Sequence, residues 1–385
     1  MTNILADQEL LRRLVGFDST SRNSNLPIAD FIADYLDRPG IRIERQIGTT
    51  DDKVNLIVTM GPDVDPQTRA GLLLSGHMDV VPADEPEWKG DPFVLRETDE
   101  AYFGRGACDM KGFVALAINT LVRTDPSSLS QPLALLLSYD EELGILGAGH
   151  FARTWPKDRP LPRQTVIGEP TSLRAVRLHK GHAGLTLQVR GRSCHSGYPH
   201  LGHNAIEPAA RAITALETFR REVEKEGGPN SEHFPEVPYV ALNLAMINAG
   251  TAVNIVPDLC TVRLGFRLLP GMESGPFVER IRECVAGVLE GEDWELELVS
   301  EAPPLLLEES APIYRAVCGL VDQAETLSAS YATDASWLQT TGLDCVVWGP
   351  GSIEVAHQPN EWMPKDEFHR TAPFLDHLVN DFCRS

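Results

Sequence analysis

PLALLLS, residues 132–138, is an unbroken apolar run, and SYDEELG, 138–144, follows it without a gap. A run with no polar alternation reads as a strand buried on both faces, as in a mainly parallel sheet covered by helices. Working outward, Val54–Thr59 and Leu72–Ser75 are two more short strand-like runs bounded by Gly, Pro and charge. Phe113–Leu121, just after Gly112, has helical texture, so strands and helices alternate in α/β order. Upstream, apolar positions from Leu5 to Leu36 recur at helical spacing with a break around Thr20–Pro27, predicting two helices joined by a turn.

Beyond Pro170 the texture changes. Gly184–Val189 alternates, Asn204–Gly227 is a long amphipathic stretch, Tyr239–Ile247 and Thr261–Leu268 are strand-like, and Pro276–Leu289 is helical. This β-α-β-β-α-β layout predicts a small antiparallel sheet with two helices on one face. The Pro-rich piece Ala302–Leu307 marks the return, after which Ile313–Gln323 and Phe368–Phe382 read as helices and Cys345–Trp348 as a strand. The expected architecture is α/β: a mainly parallel-sheet domain, residues 1–177 and 294–385, with an inserted α+β (ferredoxin-like) domain at 178–293.

Composition narrows the function. The chain has 385 residues, 42% hydrophobic and 23% charged, enough for a substantial core. Against 34 Lys plus Arg stand 55 Asp plus Glu, a net charge of −21 with no basic cluster, which argues against nucleic acid as a partner. No apolar stretch approaches the roughly 18–20 residues of a membrane span. The start, MTNILADQELLRRLV, lacks the marks of a secretory signal, so the expected location is cytosolic. Seven cysteines with no Cys-x-x-Cys pair support neither a disulfide framework nor a thiolate zinc site; a metal would need His and carboxylates. Absence of a Walker loop and of a G-x-S-x-G elbow removes the common NTPase and serine hydrolase readings.

Five segments carry chemistry. LLLSGHMDVVP (72–82) sends out His77 and Asp79 two positions apart, where the Asp can hydrogen-bond the imidazole edge and raise its basicity. GRGACDMKG (104–112) sets Asp109 in a Gly-rich loop before a helix, where it could also serve as a cap. SYDEELG places Asp140, Glu141 and Glu142 in a row at a strand end, where adjacent carboxylates repel unless a cation or proton intervenes. IGEP ends another strand with Glu169, and WGPGSIEVAHQPNEW (348–362) sets His357 in a Gly- and Pro-rich loop. Taken singly, each could be scaffold. All five fall where strands of the α/β part should end, the usual place for ligands in open α/β sheets. Two His and several carboxylates can serve two divalent cations about 3.5–4 Å apart if one carboxylate bridges them. Zinc suits such donors, and cobalt or manganese would also fit. One acid must then stay unligated to carry protons, and a neighbour of a ligating Glu is a candidate.

As a set, these segments resemble the metallopeptidase family that contains the aminoacylases, carboxypeptidase G, succinyl-diaminopimelate desuccinylase and acetylornithine deacetylase. The resemblance covers almost the whole chain and leans to the acetylornithine deacetylase branch in GEPTSLRAVRLHKGH (168–182), VPYVALNLAMINAG (237–250) and GPGSIEVAHQPNEW (349–362). It implies that His77, Asp109 and Glu169 hold one cation and Asp109, Glu142 and His357 the other. Asp79 would orient His77, and Glu141 would be the general base and acid. It further implies a homodimer in which the inserted domain lends His195 to the partner's site, with His200 and His203 as rivals, and in which Asn254 and Arg267 bind the substrate carboxylate.

The activity so implied is removal of the acetyl group from N2-acetyl-L-ornithine, a step of arginine biosynthesis. Succinyl-diaminopimelate, an acyl-citrulline, another N-acyl amino acid or a dipeptide are the alternative substrates, and a non-catalytic binding protein on this fold is the contrasting class. Departures bear on the substrate. Thr333-Asp334-Ala335 stands where that branch carries Thr-Glu-Ala, which makes Asp334 a candidate for receiving the substrate ammonium; Ala249–Thr251 and Gly265 also differ.

Overall fold

The computed structural model describes residues 4–384, so residues 1–3 and 385, at the two ends of the expected larger domain, lie outside the described residues. The chain divides into two compact units, one made of Met1–Arg177, Leu307–Leu327 and Thr333–Ser385, the other of Leu178–Leu306 with Ser328–Ala332.

In the first unit, strands Ile41–Ile47, Val54–Met60, Leu133–Ser138, Leu72–His77, Gln164–Ile167 and Asp344–Val347 lie side by side in that order. The last four are mutually parallel and the first two antiparallel, so the sheet is mainly parallel. PLALLLS is continuously apolar because both of its faces are covered. Leu133, Leu135 and Leu137 join Leu72, Leu74 and Val166 in a core with helices Asp7–Val15, Leu26–Leu36, Lys111–Arg123 and Lys365–Cys383. The alternate residues Leu73, Ala134, Leu136 and Ile167 are equally buried. The helix Lys111–Arg123 is buried from Lys111 through Leu121.

Register places the site. His77 pairs with Ser138, Ser75 with Ile167, and Val347 with Ile167, so four parallel strands end in line on one edge of the sheet. The loops that follow them carry four of the five chemical segments, while the fifth, with Asp109, follows the short strand Ala101–Phe103 and leads into the helix Lys111–Arg123, against the expectation that all five end strands of this sheet. The close fit there depends on Gly168, where a Cβ would stand 1.9 Å from the Phe113 ring.

Some elements escaped the sequence reading. Ile41–Ile47 (IRIERQI) alternates only until Arg45 and is a half-exposed edge strand. A three-stranded sheet of Arg96–Glu97, Ala101–Phe103 and Trp362–Pro364 consists of strands too short to register as a pattern. Where a break was expected to reach Pro27, the helix already begins at Leu26, with the proline in its first turn, where no N–H is needed.

The second unit is a four-stranded antiparallel sheet in the order Ala241–Ala249, Leu259–Arg267, His182–Arg190, Asp293–Ala302, with helices Ile206–Glu226 and Ser274–Ala286. Ala183, Leu185, Leu187 and Val189, from one face of the central strand, pack with Ala209, Ala212, Leu216, Ile281 and Val285 of the helices. A segment ending at 293 would sever the strand Asp293–Ala302 from this sheet, although it pairs with His182–Arg190 along its length. Its alternation of Glu295 and Glu297 with Leu296 and Leu298 is the period of a strand with one face toward water. All seven cysteines are free thiols. Among the described residues no helix is long and apolar enough to cross a membrane.

Candidate metal centre

His77 occupies the last position of its strand and is 1% exposed. Its Nε2 lies 3.0 Å from Asp109 Oδ1 and its Nδ1 2.9 Å from the main-chain carbonyl of Asp79. The expected bond to the Asp79 carboxylate is therefore corrected: that group is 3.6 Å from Nδ1. Its Oδ1 instead accepts the Glu141 N–H at 3.0 Å, and Oδ2 accepts the Glu142 N–H at 3.2 Å and the Ser21 hydroxyl at 2.7 Å. The Asp79 main chain thus sets the imidazole tautomer, while its side chain holds the loop of the paired glutamates.

Asp109 is central. Its Oδ1 meets His77, and its Oδ2 lies 3.3 Å from His357 Nε2, which is in turn 2.9 Å from Glu142 Oε2. Donor atoms of His77, Asp109 and Glu169 lie within 4.8 Å of one another, as do those of Asp109, Glu142 and His357, so two triads that could each hold a cation share Asp109. Glu141 belongs to neither.

Electrostatics suit cations. Burial drives Glu169 well above the usual carboxylate range, with repulsion from Asp109 adding to it, and Glu169 Oε1 is buried with no hydrogen-bond partner. Burial and Asp109 likewise push Glu142 up to about 7. Hydrogen bonds to Asp109 and Glu142 raise His357 to about 10. Burial opposes protonation of His77, yet Asp109 and Asp79 carry it well above its ordinary value. Burial and neighbouring Glu169 hold the Glu141 carboxyl far above the usual range. Carboxylates crowded this closely call for positive charge that the side chains supply only in part. An orphaned buried carboxylate oxygen and an all-His/carboxylate donor set fit hard or borderline divalent cations.

Asp334 is close enough to interact electrostatically with His77 and Asp79, and its Oδ1 is buried with no hydrogen-bond partner. It is 1% exposed, pushed up to about 6 by burial, and its Oδ2 accepts the Ser138 hydroxyl at 2.5 Å. It supports the strand end that precedes the paired glutamates.

Two supporting groups went unread in the sequence. Glu361, 1% exposed, accepts the N–H groups of Gly106, Cys108 and Asp109 and a guanidinium bond from Arg105 at 2.8 Å. Its letter was visible in QPNEW, but only the fold shows that it shapes the loop bearing Asp109. Removing it in Glu361→Ala leaves three buried main-chain donors and a buried guanidinium without its carboxylate partner, a loss of about 3–5 kcal/mol. Thermal melting and metal analysis of that variant should both show large losses, and an unchanged melting temperature would contradict the role. Lys53 is the other.

In the second unit, His195 and Asn254 are neighbours. Cys194–His195 pairs with Ile255–Val256, and the Ser196 N–H donates to the Asn254 carbonyl at 2.9 Å. His195 is exposed, and its Nδ1 accepts the Gly197 N–H at 3.0 Å, leaving Nε2 as the protonated, outward donor of the neutral ring. His203 is instead held by Glu292 at 2.7 Å, beside Arg211. His200 sits in the short helix Pro199–Leu201, and Arg267 ends its strand opposite Ala241.

A model of peptidase family M20/M25/M40 matches residues 73–381. The chain is 35% identical over 388 residues to an acetylornithine deacetylase of Edwardsiella ictaluri, covering 97% of both proteins. It is also 35% identical over 365 residues to one of Pasteurella multocida, covering 94% of this chain and 92% of that protein. Aminopeptidase PepT of Bacillus cereus has the same fold, with a TM-score of 0.73 at 18% identity over 98% of this chain and 99% of that one. So has the YXEP protein of Bacillus subtilis, described as a dinuclear metal binding peptidase of the M20 family, at 0.69 and 13% identity over 97% and 96%. With its catalytic-type carboxylates and imidazoles gathered on the shared fold, the chain belongs to peptidase family M20/M25/M40 and is a hydrolase of that family.

Proposed function

We propose that the chain is a di-metal deacylase that hydrolyses N2-acetyl-L-ornithine to acetate and L-ornithine, a step of arginine biosynthesis in the cytoplasm. The observation that carries this reading is the sharing of Asp109 between two triads with Glu141 left over beside them. The substrate assignment draws support from the acetylornithine deacetylases that match at 33–35% identity over nearly the whole chain.

His77, Asp109 and Glu169 would hold one divalent cation, and Asp109, Glu142 and His357 the other, with zinc the best match and cobalt or manganese also suited. Cations held by these residues would supply Lewis acidity toward the scissile carbonyl and toward a water. Glu141 takes the proton of the attacking water and delivers it to the departing amine. Burial and neighbouring Glu169 hold its carboxyl above the usual carboxylate range, which favours uptake of the proton from water. Arg267 and Asn254 bind the substrate carboxylate, the planar guanidinium fixing register through two parallel hydrogen bonds.

His195, from a second copy of the chain, donates through Nε2 to the developing oxyanion. The homodimer is supported by the edge strand Ala241–Ala249, which carries exposed Met246 and Ile247 near exposed Val253 and Ile255 in sequence.

The test is a substrate panel with metal-supplemented protein: N2-acetylornithine, N-acetylcitrulline, succinyl-diaminopimelate and simple dipeptides, followed by acetate or amine release. Acetylornithine should lead by at least roughly tenfold in kcat/KM, the scale of one differential contact. Preference for another acyl amino acid moves the substrate within the family, and no hydrolysis of any of them overturns the reading.

A further inference from the structure

We infer that Lys53 is a positioning residue for Glu141, acting through Asp140 and the turn Ser21–Asn23; the inference rests on Glu141 being the proton carrier. Lys53 immediately precedes the strand Val54–Met60, and its side chain is 8% exposed. Its ammonium spends all three N–H bonds inward, on the Ser21 carbonyl at 2.6 Å, the Asn23 carbonyl at 2.7 Å and Asp140 Oδ1 at 2.6 Å.

The same Ser21 donates its hydroxyl to Asp79 Oδ2, and the Asp79 carboxylate accepts the N–H groups of Glu141 and Glu142. A closed circuit results. Lys53 grips Asp140, Asp140 is covalently joined to Glu141, Glu141 is held by Asp79, Asp79 by Ser21, and Ser21 by Lys53. The proton carrier's main chain is thereby fixed from two sides by groups that flank different strands of one sheet, Lys53 before Val54–Met60 and Asp79 after Leu72–His77.

Asp140 shows what the circuit works against. Its φ of +49° lies in the left-handed region, which a residue with a Cβ occupies at a cost of order 1–3 kcal/mol unless its surroundings impose it. With Asp140 turned this way two residues past the strand end, the chain presents Glu141 and Glu142 in succession, one outside and one inside a triad. A buried ion pair contributes little net stability compared with apolar residues of the same volume. The bonds of Lys53 are better explained by the geometry they impose. Among the described residues, Lys53 bonds to Ser21, Asn23 and Asp140 and to no triad member, so it acts through the loop.

The test pairs Lys53→Met, which keeps volume and removes the ammonium, with Lys53→Met/Asp140→Asn, which also removes the stranded carboxylate. Two readouts are taken. Hydrogen exchange of the Glu141 and Glu142 amides should rise by roughly tenfold or more in Lys53→Met, while the strand Leu133–Ser138 keeps its protection. With the wild-type substrate, kcat should fall by about 10–100-fold, as expected for a misplaced catalytic group, with KM within about twofold and metal content intact. The double variant should recover melting temperature but not kcat.

Unchanged exchange at Glu141 and Glu142, or kcat returning together with melting temperature in the double variant, would overturn the inference. If the wild-type chain hydrolyses no acylated amino acid, the functional reading fails, and the exchange readout still decides whether Lys53 holds the loop.

Discussion

Glu141→Gln should lose about 10²–10⁴-fold in kcat, the range of a positioned general acid–base group, with both cations still bound. Glutamine keeps the shape and the main-chain bond to Asp79, so the loop stays where it is. It cannot accept the proton of water or return it to the amine. Because Glu141 stands outside both triads, metal stoichiometry should match wild type. The drop should appear equally in kcat and kcat/KM, since the missing interaction is made only in the transition state. Activity within a few-fold of wild type would remove Glu141 from the reaction, and loss of a cation would turn it into a ligand.

Chelation is the second large effect. Stripping divalent cations should abolish turnover, and adding back zinc or cobalt should restore it. Asp109→Ala should not be rescued by added metal, because one substitution removes a donor from both triads.

The sign of the pH dependence follows from the same groups. In the cation-free protein Glu142 is raised to about 7 by burial and Asp109, and His357 to about 10 by its bonds to Asp109 and Glu142. Both must lose a proton to bind metal, so cations displace protons and affinity should rise with pH from about 7 toward 10. Titration calorimetry in buffers of different ionisation enthalpy would measure the protons released. Affinity independent of pH over that range would mean that these residues are not the ligands.

Much of the first unit was legible because burial on both faces leaves a plain mark. PLALLLS could hardly be anything but a central strand, and the ends of neighbouring strands already held His77, Glu142 and Glu169. The edge strand Ile41–Ile47 was not legible, since a strand with one side toward water may carry Arg45 where the apolar period calls for an Ile. Asp79 was read as a partner of the imidazole because the two are close in sequence. In space its carboxylate turns to main-chain donors 62 and 63 residues away. Asp334 was read as a candidate for the substrate ammonium, and its bond to Ser138 is a partner that sequence distance hides.

By itself the sequence determined the inventory: which imidazoles and carboxylates exist, that strand ends carry them, and that the sheet between is apolar enough to be buried. The resemblance already implied that Asp109 is common to both triads, whereas tertiary structure alone decided that Glu361, Lys53 and the Asp79 carboxylate serve the loops. Strand identity is a local matter of period and burial, readable within a dozen residues. A hydrogen-bond partner is a matter of register between strands, and register exists only once the chain has closed on itself.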